Sequence, residues 1–348
     1  MKVGLIGAGN ISQTHARAAA GIPGVSVVAV QGANAAKARE LARTYGADAY
    51  EDLEKFLAHE AMDMVIIGSP SGVHAAQGVA AARRGLHVLV EKPIDVTAER
   101  ADELIAAAEE AGVRLGVLFQ DRLKPEIVRL KQLVDSGGLG RVLSVSARVP
   151  WYRPPDYYRL SRWRGTAALD GGGALMNQGV HTVDLLLWVL GEVTRVQARI
   201  ATLFHQIESE DTALALLEFA SGAVGVLEAS TTTYPGYPRR VEITGTEGTV
   251  VLEHDRIVAA DLRTPRPELL ADGGGDANAS ASSPVVTDAS GHQRLIADFL
   301  RAVDTGSRPA CDGHEGRRSV ELVQAIYRSA RSLASEPVAG GPDRRRSH

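Results

Sequence analysis

The sequence of 348 residues has one cysteine, only 5% aromatic residues and no long apolar run. The single cysteine, Cys311, excludes an intrachain disulfide and a cysteine-based zinc cluster, as is typical of a reducing cytoplasm. No apolar stretch reaches the length of a membrane span, and the opening MKVGLIGAG has glycines where a secretory signal needs an apolar core. We therefore expect a cytoplasmic protein with no membrane partner.

The charge is also unremarkable, with a formal net charge of −4 and basic residues scattered outside the terminal PDRRRSH. Such a distribution offers no electrostatic footprint for nucleic acid, so we expect no nucleic-acid partner. A hydrophobic content of 45% with 23% charged residues is typical of a soluble globular protein, and the length suits two domains. The change of periodicity predicts a first domain over residues 1–120, a second over 121–335 and a tail over 336–348.

Apolar runs and helical patterns alternate through the first third of the chain. The predicted strands cover 2–6, 25–30, 64–68, 87–92 and 114–120, and the predicted helices cover 13–21, 35–46, 73–85 and 99–112. Strands that alternate with helices imply right-handed crossovers and a parallel sheet that binds ligands at the carboxyl ends of its strands. The fold class is therefore α/β, with an N-terminal Rossmann domain.

A glycine turn, GAGNIS over residues 7–12, follows the first strand. Gly7 permits the tight turn and Gly9 lets the backbone approach a pyrophosphate, which the following helix N-terminus attracts. Ser12 replaces the third small residue of the usual fingerprint. The candidate cofactor-binding residues lie at the ends of the strands: Gly7, Gly9, Asn10, Ile11, Asn34, Lys37, Ser69, Pro70, His74, Glu91 and Lys92.

The choice between NAD and NADP depends on the end of the second strand. An acid normally binds the ribose hydroxyls of NAD there, but this chain has Gln31, Gly32, Ala33 and Asn34. Lys37 could meet a 2′-phosphate or could be a solvated helix lysine. The pattern favours NADP slightly over NAD.

Lys92 ends a strand in the segment VLVEKP, at the edge where the nicotinamide would lie. A lysine there could orient a substrate hydroxyl and accept its proton, because desolvation and a nearby positive charge lower a lysine pKa. The alternative is an ordinary exposed charge at a strand end.

The segment DGGGALMNQGVHTVDLLLW, residues 170–188, predicts an amphipathic helix with a buried stripe of Met176, Val180, Val183 and Leu187. At 100° per residue, Asn177, His181 and Asp184 form a polar edge beside that stripe. This edge could face a substrate, or His181 could be a satisfied structural histidine. Asp184 could orient His181 or cap a nearby amide. Because no further ligands converge, we expect no metal site.

The run WYRPPDYYRLSRWRG, residues 151–165, carries five aromatics and four arginines. Aromatic faces stack on sugar rings, and arginine forks bind carboxylate or phosphate. The candidate substrate-binding residues are therefore Tyr157, Tyr158 and Arg164, together with Asn177 and Asp184. The alternative is a segment that makes interdomain or subunit contacts.

Strand-like runs dominate the rest of the second domain, with hairpins turned at Ser221 and Gly222 and at GTEG. Helices pack on one face of such a sheet and the other face is free to pair, so we expect a homodimer or homotetramer. Residues 265–291 have no pattern that could be buried and predict a surface loop. Two helices, over 293–306 and 317–332, close the chain.

Four segments together resemble the Gfo/Idh/MocA family of NAD(P)-dependent oxidoreductases: GLIGAGNISQTHARA, PSGVHA, VLVEKP and WRGTAALDGGGALMNQGVHTVDLLLWVLG. The resemblance implies a second α+β domain with an open, mostly antiparallel sheet, and a substrate bound in the cleft between the domains. It also implies that Lys92 and His181 are the catalytic pair. Many members have aspartate at the position of Asn177, so either Lys92 or His181 could be the base. Residues 29–46 also resemble the NADP-binding segment of glucose-fructose oxidoreductase at Lys37 and Tyr45, although Gly32 replaces a serine.

The function that this resemblance implies is hydride transfer between a ring-carbon hydroxyl of a sugar, polyol or sugar derivative and a nicotinamide. A redox-assisted glycosidase or a glycoside 3-oxidase of the same fold is an alternative. A regulator that senses the cofactor is a third possibility, which the presence of both Lys92 and His181 argues against, because a sensor needs no proton acceptor beside the nicotinamide.

Overall fold

A computed structural model describes residues 1–270 and 289–338, and these fall into two compact units. The first unit contains residues 1–123 and 289–317, and the second contains 124–270 and 318–338. The chain therefore returns to its first unit at residues 289–317. The predicted domains, 1–120 and 121–335, are each continuous and place this segment in the second domain. In the described ranges, no helix is both long enough and apolar enough to cross a bilayer.

The first unit is built on a six-stranded, wholly parallel sheet in the order β3-β2-β1-β4-β5-β6. The strands are β1 (Lys2–Ile6), β2 (Ser26–Gln31), β3 (Asp48–Tyr50), β4 (Met64–Ile67), β5 (His87–Glu91) and β6 (Leu115–Leu118). The strand order reverses at β1, and ligands bind at such switch points in doubly wound sheets. The predicted Rossmann sheet is confirmed.

The helices of this unit are α1 (Asn10–Ala20), α2 (Ala35–Tyr45), α3 (Leu53–Leu57), α4 (His74–Ala82), α5 (Ala98–Glu110) and α9 (Ser290–Thr305). Helix α1 begins three residues before the predicted start, directly after Gly9. Helix α9 packs against α1, β5 and β6. Its Ile296 and Phe299 are fully buried, so α9 completes the core on one face of the sheet.

The second unit contains an eight-stranded sheet in the order β13-β12-β11-β7-β10-β9-β8-β14. Its strands are β7 (Val142–Pro150), β8 (Val193–Ala201), β9 (Thr212–Phe219), β10 (Val224–Ser230), β11 (Arg240–Gly245), β12 (Gly248–Glu253), β13 (Arg256–Leu262) and β14 (Glu336–Pro337). Only β7 and β10 pair in parallel. The mostly antiparallel sheet is confirmed, as are the hairpins β9–β10 and β11–β12.

Helices cover one face of this sheet. They are α6 (Pro125–Asp135), α7 (Pro155–Arg159), α8 (Val180–Leu190) and α10 (Gly313–Ser332), whose first five residues belong to the first unit. A π-helical turn over Ala174–Gly179 precedes α8 and packs on β9 and β10. The prediction of one continuous α-helix through Asn177 and His181 is therefore wrong.

Five short elements of the described ranges were not predicted from the sequence, namely β3, α3, α7, β13 and β14. Strand β14 pairs with β8, so the predicted tail begins with two residues that belong to the sheet. The predicted surface loop over 265–291 ends where α9 begins at Ser290, and its residues 271–288 lie outside the described ranges. Residues 339–348 of the tail lie outside them as well.

Candidate active site

The glycine turn after β1 has the shape that a pyrophosphate requires. Gly7 has a φ of +107° and its N–H donates to the carbonyl oxygen of Gln31 at 2.8 Å. A Cβ at Gly9 would meet no heavy atom within 4 Å, so the backbone faces open space there. Gly9 caps α1 without a side-chain hydrogen bond to the first helical amides. These amides fit an anionic group of a dinucleotide.

The end of β2 presents no carboxylate in the segment 31–34. Gln31 is buried and its Nε2 donates to the carbonyl oxygen of Glu51 at 3.0 Å. Asn34 caps α2, since its Oδ1 accepts from the Lys37 N–H at 3.1 Å. The Lys37 side chain is exposed. The only ionisable side chain over residues 31–37 is therefore cationic.

The loop after β4 is tied to the segment after β5 by a buried histidine. His74 is 1% exposed, and its two ring nitrogens lie 2.9 Å from the carbonyl oxygens of Pro93 and Ser69. The hydroxyl of Ser69 donates to Gln77 Oε1 at 2.6 Å. His74 thereby fixes the backbone on both sides of the carboxyl edge, and Ser69 and Pro70 remain partly exposed there.

Lys92 follows β5 and is partly buried, while the carboxylate that precedes it belongs to an internal network. Glu91 Oε1 lies 2.9 Å from His15 Nε2 and 3.6 Å from His292 Nε2, and Glu91 Oε2 accepts from the Lys92 N–H at 3.0 Å. All three side chains are nearly inaccessible. The structure thus places Glu91 inside the first unit, where it supports the backbone of Lys92.

The charge states of this network follow from burial and hydrogen bonding. Burial raises the pKa of Glu91, but the hydrogen bond from His15 and the nearby ring of His292 outweigh burial and hold that pKa well below its usual range. Burial lowers the pKa of His15, although the hydrogen bond to Glu91 and its negative charge act to raise that pKa. A neutral His15 with its proton on Nε2 therefore donates to an ionised Glu91. The ligand atoms of the three side chains lie within 4.8 Å of one another, a spacing that could also hold a metal ion.

In the second unit, Asn177 lies on the π-helical turn and His181 lies on the first turn of α8. The predicted stripe is buried, because Met176, Val180, Val183 and Leu187 are at most 3% exposed. Asn177 and His181 are partly buried. A π-helix inserts an extra residue per turn, and such turns are frequent at functional sites. The angle between Asn177 and His181 therefore differs from the value that a continuous α-helix predicts.

Asn177 belongs to a hydrogen-bonded cluster that includes two of the other candidates. Its Nδ2 donates to the buried Asp170, and its Oδ1 accepts from Gln178 Nε2 at 3.1 Å. Gln178 Nε2 also donates to the hydroxyl of Tyr157 at 3.1 Å, and the guanidinium carbon of Arg164 lies 4.1 Å from the Tyr157 ring centroid. The structure thus brings Asn177, Tyr157 and Arg164 together.

Tyr158 and Asp184 point into the second unit instead. Tyr158 is 6% exposed, and its hydroxyl donates to Thr231 Oγ1 at 3.2 Å. Burial raises the pKa of Tyr158. Asp184 is 1% exposed and accepts from the Ser319 hydroxyl at 3.4 Å. A contact of either side chain with substrate stays a prediction.

Glu210, a buried carboxylate that the sequence did not predict, holds the glycine turn at 171–173. Glu210 accepts from the N–H groups of Gly173 and Leu175 at 3.1 and 2.8 Å, and from the hydroxyl of Tyr327 at 2.9 Å. A Cβ at Gly173 would lie 1.8 Å from the carbonyl oxygen of Glu210. The glycine is therefore required by close packing, and Glu210 fixes the turn that carries Asn177.

Comparison with known proteins decides the family. Residues 1–119 match the model of the oxidoreductase family with an NAD-binding Rossmann fold, and residues 127–251 match the GFO/IDH/MocA C-terminal domain. The chain belongs to the Gfo/Idh/MocA family. This membership makes it an NAD(P)-dependent oxidoreductase, and the resemblance in the sequence is confirmed.

The relatives in this family include sugar and polyol dehydrogenases. D-xylose 1-dehydrogenase (NADP(+)) 2 of Haloferax volcanii is 33% identical, over 82% of this chain and 84% of its own. Inositol 2-dehydrogenase of Rhizobium meliloti is 28% identical, over 94% of this chain and 96% of its own. The crystal structure of the WlbA dehydrogenase from Bordetella pertussis, in complex with NADH and UDP-GlcNAcA, is 34% identical, with 97% of each chain covered and a TM-score of 0.88.

Proposed function

We propose that this Gfo/Idh/MocA protein transfers a hydride between a ring-carbon hydroxyl of a sugar, polyol or sugar derivative and a nicotinamide. The observation that carries the proposal is the presence of Lys92 and His181 in the two motifs of the family, VEKP and GGGALMNQGVHTVD. Family relatives whose names give sugars and inositols as substrates support the substrate class.

Lys92 and His181 are the proposed proton-transfer residues. When the substrate hydroxyl is oxidised, its proton must go to a neighbouring base, and the neutral form of a lysine or a histidine side chain can accept it. The bound dinucleotide supplies the hydride acceptor. The Glu91 network supports this assignment, because it fixes the backbone N–H of Lys92 from inside the first unit.

Asn177, Tyr157 and Arg164 are the proposed substrate-binding residues of the second unit. An amide group can both donate and accept hydrogen bonds, as the bonds of Asn177 to Asp170 and from Gln178 show, and a substrate hydroxyl needs both kinds of group. Tyr157 accepts from Gln178, and its own hydroxyl hydrogen can be donated. These groups suit a ligand rich in hydroxyls.

The proposed cofactor is NADP, with NAD as the alternative. The amides around Gly9 and Asn10 would hold the pyrophosphate. Lys37 is the cationic group after β2 that could meet a 2′-phosphate, because Gln31 and Asn34 are engaged with the backbone. The name of the Haloferax relative contains NADP, whereas the Bordetella relative was crystallised with NADH.

A homo-oligomer is proposed from the exposed face of the second sheet. Leu214, Leu216, Val224 and Val226 are 44–55% exposed on the adjacent strands β9 and β10. Contiguous apolar side chains on one sheet face mark an interaction surface. A second copy of the chain would cover them, as a homodimer or homotetramer. The single, buried Cys311 suits the cytoplasm, which is the proposed location.

The experiment that tests the function is nicotinamide reduction with NAD and with NADP against free hexoses, inositols, glycosides and UDP-sugars. We expect reduction with at least one sugar or polyol and a ketone or lactone product. Release of an aglycone without net reduction of the cofactor would contradict the proposal and favour the glycosidase. Cofactor binding without turnover of any compound would favour the sensor.

A further inference from the structure

The side chain of Arg164 lies in an aromatic cluster and forms no ion pair with any residue in 1–270 or 289–338. Its guanidinium carbon is 4.1 Å from the Tyr157 ring centroid and 5.3 Å from that of Trp163. Its Nε is buried and has no hydrogen-bond partner within the described part of the chain. By contrast, Arg159 on α7 pairs with Asp156 at 2.7 Å. Arg164 is therefore a half-buried cation that the described residues do not neutralise.

The surroundings of Arg164 add positive charge. Arg153 is 2% exposed, and its guanidinium carbon lies 5.6 Å from the same Tyr157 ring. Burial lowers the pKa of Arg153, and repulsion from Arg164 acts in the same direction. The carboxylate of Asp170 accepts from the Gly165 N–H and from Asn177 in the same cluster. A second guanidinium group thus lies beside the same Tyr157 ring as Arg164, and a half-buried cation such as Arg164 gains from an anionic partner.

We infer that Arg164 binds an anionic group of the substrate, a carboxylate or a phosphate, so that the substrate is an acidic sugar derivative. The inference rests on the proposed function, because it assigns the anion to the substrate of the same site. The N–H groups of a guanidinium lie in its plane, so a stacked arginine still offers a fork to a carboxylate or phosphate.

The polar cluster connects this anion site to the family motif. Gln178 donates both to the hydroxyl of Tyr157 and to Asn177 Oδ1, and its own oxygen accepts from Arg153 at 3.1 Å. A ligand whose anionic group meets Arg164 would therefore have its hydroxyls within reach of the Tyr157 hydroxyl or the Asn177 amide. Neutral sugars would leave the cation unpaired, which predicts discrimination by charge.

The test is calorimetric titration with matched pairs of ligands: glucuronate and glucose, galacturonate and galactose, glucose 6-phosphate and glucose, and the UDP-sugar acid UDP-GlcNAcA and UDP-GlcNAc. Wild type should bind the acidic member of at least one pair about tenfold to a hundredfold more tightly, as a hydrogen-bonded ion pair predicts. Preference within a uronate pair identifies a carboxylate, and preference within the phosphate pair identifies a phosphate. The absence of a preference in every pair overturns the inference.

Three variants complete the test. Arg164→Met should abolish the preference, and Arg164→Lys, which keeps the charge without the fork, should retain part of it. Arg162→Met is the matched control, because Arg162 is exposed and only two residues away, and it should keep the wild-type preference. A preference that survives in Arg164→Met, or its complete loss in Arg162→Met, overturns the inference. If Arg164→Met does not fold, Arg164→Lys decides the test. Full wild-type affinity of Arg164→Lys for the acidic ligand would contradict a two-bond contact by the Arg164 guanidinium.

Nicotinamide absorbance, recorded on the same ligands, distinguishes the two proposals. Binding that prefers acidic sugars without any reduction supports the anion site and contradicts the dehydrogenase. Reduction of neutral sugars alone, unchanged in Arg164→Met, overturns the anion site and leaves the dehydrogenase intact.

Discussion

Replacing Glu91 by glutamine should loosen β5, the strand that ends directly before Lys92. Glu91 accepts from His15 Nε2 at 2.9 Å and from the Lys92 N–H at 3.0 Å, in a site where the Glu91 side chain is only 9% exposed. Glutamine keeps the shape, but its NH₂ group cannot accept. Either one of the two donors then faces another donor, or His15 must move its proton to Nδ1 so that Nε2 can accept; in both cases the negative charge that strengthens these bonds is lost.

The expected loss follows from these two contacts. A hydrogen bond to a charged group contributes about 1.5–3 kcal/mol, and a buried donor without an acceptor costs about 1–3 kcal/mol. We expect the opening free energy of β5 to fall by about 2–4 kcal/mol, which accelerates amide exchange about 30- to 1000-fold. Hydrogen exchange of peptides that cover residues 87–92, measured by mass spectrometry, reports this change.

The pH dependence supplies a second readout. The folded-state pKa of Glu91 is below that of an unfolded glutamate, so its contribution to stability is present above about pH 4.3 and is lost as the pH falls towards the folded pKa. Glu91→Gln should lack this acid-dependent component. The control is Glu110→Gln at an exposed position of α5, which should change stability by less than about 0.5 kcal/mol. Exchange in Glu91→Gln that matches wild type at every pH would refute the reasoning.

Three further predictions concern the glycine turn, the sheet face and the cofactor. Gly173→Ala places a Cβ against the carbonyl oxygen of Glu210, so it should lower the free energy of unfolding by about 1–3 kcal/mol and reduce turnover by displacing Asn177. A melting temperature and a turnover rate equal to those of wild type would contradict this close contact. Leu216→Lys should shift the mass in sedimentation velocity towards the monomer with unchanged circular dichroism, and an unchanged mass would exclude this face as the interface. Lys37→Ala should raise the KM for NADP about tenfold and leave the KM for NAD unchanged. The same change in both KM values would indicate that Lys37 is a solvated helix lysine.

The sequence predicts the fold well because its periodicity is local. Alternating buried runs and amphipathic segments define the Rossmann sheet, and hairpins such as the one at Ser221 and Gly222 define the antiparallel sheet. The return of α9 to the first unit has no such local signal. Ile296 and Phe299 form an ordinary apolar stripe, and nothing in that stripe specifies which core it joins.

The candidate site could be predicted only in part, for the same reason. The motifs mark Lys92 and His181, and the composition of residues 151–165 marks Tyr157 and Arg164. The Glu91 network could not be predicted, because His292 is distant in sequence and its pairing depends on how α9 packs. The π-helical turn was missed because period analysis assumes 100° per residue, although the three consecutive glycines before it indicated close backbone packing.

The central claim, hydride transfer that depends on Lys92, is tested most directly by one comparison. Wild type and Lys92→Ala would be assayed side by side for nicotinamide reduction on the best substrate of the panel, with cofactor affinity measured separately by fluorescence titration. The account predicts unchanged cofactor affinity and a loss of turnover of about 100-fold or more in Lys92→Ala, in line with general acid–base catalysis. Turnover near that of wild type, at saturating substrate and cofactor, would contradict it.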